Sequence, residues 1–96
     1  MDEGKYLTDW CSLNNVRINI NTEVFFVNEN TLIKPQFILN NKIYVIIKDI
    51  NNMSDDKYYD YVAKTYGSVI IIPNNILPKL NTLTKLDISK HFDIKL

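Results

Sequence analysis

The sequence predicts an α/β domain in which a helix precedes three strands, a second helix leads into a fourth strand, and a short cap closes the chain. Three observations predict it. Apolar residues recur at helical spacing near the N terminus, the period then changes to two, and two β-rich runs meet at Asn40-Asn41, a dipeptide suited to a tight hairpin turn.

From Asp2 to Leu13 the residues Tyr6, Leu7, Trp10, Cys11 and Leu13 form one helical stripe, with Asp2 and Glu3 in the first turn where carboxylates meet the positive end of the helix dipole. Asn14-Asn15 stops the helix. Val16, Ile18 and Ile20 then alternate with Arg17, Asn19 and Asn21 as in a half-buried strand, which Val24 to Val27 continues or restarts. After the polar break at Asn28 to Asn30, Leu32 to Leu39 and Lys42 to Asp49 read as two strands of a hairpin. Ile43 to Ile47 is apolar on both faces, which places that strand in the middle of a sheet covered on both sides. Ser54 is a helix-cap residue for a helix over Asp55 to Tyr66, and Gly67 ends it. Val69 to Pro73 is a short buried strand stopped by a proline that cannot donate to a ladder. In the tail, Pro78 interrupts any early helix, and Leu83 to Phe92 carries weak helical spacing.

Ninety-six residues fit one domain spanning 1–96, with a core over about 2–73 and a C-terminal extension over about 74–96. Two glycines and three prolines argue against long low-complexity stretches, and 46% hydrophobic residues suffice for a core. A net charge of zero excludes a strongly basic nucleic-acid coat. Cys11 has no cysteine partner and His91 is the single histidine, so neither an internal disulfide nor a Cys/His zinc cluster is available. No apolar run approaches the roughly 20 residues of a membrane span, and Met1-Asp2-Glu3 is not the basic start of a secretory signal. The expectation is a soluble intracellular protein, in cytoplasm or a host nucleus, that does not engage membrane. Abundant Asn, Ile and Lys with a single alanine, Ala63, fit AT-rich coding sequence such as that of some large DNA viruses, phages and parasites.

The segment Lys34-Pro35-Gln36-Phe37-Ile38-Leu39, the Asn40-Asn41 turn and Tyr44-Val45-Ile46-Ile47-Lys48-Asp49 have the spacing of a known nuclease motif. Over about Glu3 to Pro73 the chain resembles the PD-(D/E)XK superfamily of restriction-endonuclease-like folds. The resemblance implies a small three-layer core in the order α-β-β-β-α-β. In active members a Pro-Asp pair on one strand is followed, about ten residues on, by an acid, a spacer and a lysine. Here Gln36 stands at the aspartate position and Ile46 at the second acid position, leaving Lys48 alone of the strand motif, while Glu3 matches a glutamate that some members carry on the first helix. Magnesium-dependent phosphodiester hydrolysis needs hard, charged oxygen ligands around the metal; glutamine is a weak ligand and isoleucine none.

The resemblance with its acids missing implies a degenerate module without catalysis or cofactor, binding a protein partner in a DNA- or RNA-processing assembly, viral sources included. The alternative is a metal-dependent endonuclease or resolvase with a rearranged site, in which magnesium is held by Glu3, Glu23 or Asp49 beside Lys48. Asp49 adjoins Lys48, so strand alternation turns it to the other face. A third reading is nucleic-acid binding without cleavage through Lys34, Lys48, Lys85 and Lys90. Residues 65–96 carry four positive and two negative charges against two and five in residues 1–30, so the C-terminal part is mildly basic. Each candidate has a plainer account: Lys48 as a snorkelling lysine, Glu3 as a helix-dipole residue, Pro35 as a strand-start marker, and the lysines as a solvated face. Tyr58, Tyr59, Tyr61 and Tyr66 must point in several directions, some into the core and the rest to an interface. A homodimer is compatible with so small a chain.

Overall fold

The change of period at Val16 marks where helix gives way to sheet in the computed structural model, which describes residues 3–51 and 56–96; of Glu3 and Asp56 it describes the backbone alone. The helix α1 (Glu3–Leu13) ends at Asn14 and Asn15, and Asn15 takes the left-handed conformation with φ 58°. The strands β1 (Ile18–Ile20), β4 (Phe37–Leu39), β5 (Ile43–Lys48) and β6 (Val69–Pro73) form a four-stranded mixed sheet in that spatial order. Both β1–β4 and β4–β5 are antiparallel, whereas β5 and β6 are parallel and joined through α2 (Asp56–Tyr66). The chain is therefore a mixed α/β domain.

The turn between β4 and β5 is at Asn40-Asn41 as the sequence suggests, with φ 52° and 58°, left-handed values that asparagine tolerates better than most residues. The strand expected over Leu32 to Leu39 is a correction: it is two strands. Thr31–Ile33 is β3, which pairs with β2 (Phe25–Asn28) as a separate two-stranded ribbon, and only Phe37–Leu39 joins the main sheet. The cause is local. Pro35 lacks an N–H for any ladder and falls where the chain passes from ribbon to sheet. Val24 to Val27 accordingly restarts, rather than continues, the first strand. The expected Ser54 cap lies outside the described residues.

Alternation along β5 feeds two cores. Ile43 and Val45 face Leu7, Trp10 and Cys11 of α1, with Leu39, Ile70, Ile72, Leu77, Leu80 and Ile88. Ile46 faces the other way, against Phe25 of the ribbon and Val62 of α2. This two-sided burial is why β5 reads as an unbroken apolar run. After Pro73 the chain forms a 3-10 helix (Asn74–Thr82) that contains Pro78, and the Trp10 Nε1–H donates to the Leu83 carbonyl at 2.9 Å, tying α1 to its end. The last helix, α3 (Lys85–Phe92), starts with a capping box in which Thr84 and Asp87 satisfy each other's backbone N–H groups. Among the described residues no helix is long and apolar enough to cross a membrane.

Candidate functional site

The motif segment is held by one buried asparagine. Asn21 is 3% exposed, and its side chain donates to the carbonyls of Pro35 (2.9 Å) and Glu23 (2.7 Å) while accepting from the Glu23 N–H (3.1 Å). Burying an amide is tolerable only with such partners, and these three bonds use both ends of it. They fix the exit of β1 against the Pro35 segment, where the Gln36 N–H donates to the Val45 carbonyl at 2.9 Å.

Gln36 then turns its side chain onto β5. Its Oε1 accepts from the Ile47 N–H at 3.0 Å and its Nε2 donates to the Ile47 carbonyl at 3.4 Å, so the amide behaves as one more peptide group in the β4–β5 ladder. Ile46 is 2% exposed and belongs to the core with Phe25 and Val62. Lys48 is half-buried at the last position of β5, in register with Pro73. Asp49 follows β5 at the same end of the sheet as Lys48, and its Oδ1 accepts from the Asn51 N–H at 2.9 Å and from Asn74 Nδ2 at 3.5 Å. The side chain of Glu3 lies outside the described residues.

Glu23 is occupied by Tyr44, whose hydroxyl donates to Glu23 Oε2 at 2.6 Å. That hydrogen bond to Glu23, then burial and the glutamate charge, raises the Tyr44 phenol above its ordinary pKa of 10.0. Tyr44 stands four residues from Lys48, roughly 13 Å along the strand. Around Tyr44 the aromatics are ordered: Phe25 packs edge-on at 4.9 Å and stacks on Tyr66 at 4.3 Å, and the Tyr66 hydroxyl donates to the Phe26 carbonyl at 2.9 Å. Among the described residues no three His, Cys, Asp or Glu side chains converge on one point.

No family model, no curated protein and no solved structure matches the chain. The site's meaning therefore rests on its own chemistry. As arranged, Gln36, Ile46 and Glu23 serve sheet, core and a phenol, respectively.

The lysines marked in the sequence occupy several elements. Lys34 is exposed in the passage from ribbon to sheet, Lys48 ends β5, and Lys85 and Lys90 are five residues apart on α3, about 140° around the helix. The tyrosines of α2 divide: Tyr59 packs into the second core, Tyr66 stacks on Phe25, Tyr61 is exposed, and Lys57 lies 5.1 Å over the Tyr58 ring. Asn21 and the Tyr44–Glu23 pair were not singled out by sequence reasoning. Alternation puts Tyr44 on the face of Ile46 and Lys48 without pointing to Glu23, and at the end of β1 it misleads, because Asn21 is buried and Ile20 is 77% exposed.

Proposed function

We propose that this chain is a catalytically inactive nuclease-like module that works by binding a protein partner in a nucleic-acid-processing assembly. The observation that carries the reading is the occupation of both acid positions of the strand motif: the Gln36 amide is spent on Ile47, and Ile46 is core. The restriction-endonuclease-like order α-β-β-β-α-β belongs to the same proposal. Its support is a sheet with two antiparallel pairings, a parallel fourth strand reached through α2, and apolar clusters on both faces. A fold of this kind keeps exposed surface for binding after its metal ligands are gone. Phe26 and Leu32, cross-strand partners on the ribbon's outer face, are 59% and 54% exposed and give such a surface an apolar centre.

The test is a titration of magnesium and then manganese into the protein by calorimetry, with a nuclease assay on the same preparation. No binding heat and no cleavage are expected. Cleavage that disappears in Lys48→Ala would overturn the reading and place the chain among active enzymes with a rearranged site.

A further inference from the structure

Between the 3-10 helix and α3 runs a groove of about 690 Å³, within the roughly 300–1,000 Å³ usual for ligand sites. Its floor is apolar: half-buried Ile76, Leu83 and Phe92 with buried Ile88. Its rim is basic, carrying Lys79, Lys90 and His91. The one carboxylate in the lining among the described residues is exposed Asp87, which accepts from the Thr84 N–H at 2.9 Å; the Thr84 hydrogen bonds, and then the Lys90 charge, hold it below the usual carboxylate range.

We propose that this groove docks an acidic segment of a partner protein, with apolar side chains seated on the floor and carboxylates against Lys79 and Lys90. Two features select that occupant. A floor of Ile, Leu and Phe offers phosphates no donors and rewards apolar side chains, which favours a peptide over a nucleic-acid backbone. The two ammonium groups of the rim outnumber its one carboxylate, which is engaged by Thr84, so the rim favours acidic over basic segments. The proposal goes beyond the inactive-nuclease reading and stands without it, because the groove is built from the C-terminal segment and not from the strand motif.

The experiment is fluorescence anisotropy of the whole chain with four labelled probes. These are a peptide alternating Asp/Glu with Leu/Phe, the same apolar pattern with Lys for the acids, the same acids with Ser for the apolar residues, and a single-stranded oligonucleotide. The first peptide is expected to bind, in a salt-sensitive manner, and the other three to bind at least tenfold more weakly. The exposed double variant Lys79→Glu with Lys90→Glu should weaken the acidic peptide by roughly tenfold and gain affinity for the basic one, its fold being checked by circular dichroism. Equal binding of all peptides, preference for the oligonucleotide, indifference to the charge reversal, or self-association of the chain that blocks the groove would each overturn the proposal.

Discussion

Gln36 and Ile47 are joined by two hydrogen bonds running in opposite directions, one into Oε1 at 3.0 Å and one out of Nε2 at 3.4 Å. A carboxylate in that place accepts but does not donate. Gln36→Glu therefore leaves the Ile47 carbonyl facing an anion, and urea denaturation at neutral pH should show a loss of about 1 kcal/mol. Because the neutral acid can donate, the folded-state pKa of the new glutamate is raised. The deficit is smallest below the unfolded value and grows as pH rises through the folded one. An equal deficit across the acid range would show that the Nε2 bond contributes nothing.

Ile46 gives a sharper contrast, being buried between Phe25 and Val62. Ile46→Glu should cost at least about 3 kcal/mol at neutral pH, because it places an unpaired carboxylate in an apolar core. Burial raises the folded-state pKa, so stability should recover as pH falls toward the unfolded value of about 4.3 and decline as pH rises above it. Combining it with Gln36→Asp restores the residue types of the nuclease motif; if the two positions are those of the motif, a folded double variant gains magnesium affinity, and no gain would weaken the resemblance. Magnesium binding by a folded double variant would show that the two positions can still form a metal site.

The elements with strong local signals were legible in the sequence: the α1 stripe as far as Cys11, although Leu13, expected on it, is 79% exposed, the Asn40-Asn41 turn, and β5 as a strand buried on both faces. The division of Leu32 to Leu39 was not, because β3 and β4 are both short and β-rich, and the only mark between them is Lys34-Pro35. Their partners differ for reasons that lie outside the segment: β3 pairs with β2, and Asn21 clamps Pro35 from a distance of fourteen residues along the chain. The candidate site was legible as a spacing and not as a set of contacts. Nothing in Gln36 alone tells that its amide will turn to Ile47, and no pattern links Glu23 to Tyr44.

The hydrogen bond to Glu23 makes the titration of Tyr44 sensitive to that glutamate. The phenol's raised folded-state pKa means that the hydrogen bond to Glu23 stabilises the fold fully below the unfolded value and is lost as pH rises through the folded value. Glu23→Gln removes the charge and weakens the acceptor, so tyrosinate absorbance should show one phenol moving to lower pH. An unchanged titration would mean that the pair does not persist in solution.

Cys11 is fully buried, and burial pushes its thiol up to about 12. Only the thiolate attacks alkylating reagents. Native protein at neutral pH should resist modification, with labelling following the unfolded fraction in a urea series. Rapid labelling of the native chain would show that α1 opens from the sheet independently of global unfolding.

The β2–β3 ribbon has a further consequence for engineering. It leaves the main sheet after Asn21 and returns at Pro35, two points that the Asn21 side chain itself joins, and its far end is the exposed turn at Glu29-Asn30. Loop tips of this kind accept added chain because no buried backbone group depends on their length. A tag or a second domain placed between Glu29 and Asn30 should hang from the ribbon while the four-stranded sheet keeps its register, making that turn the natural fusion point of the molecule.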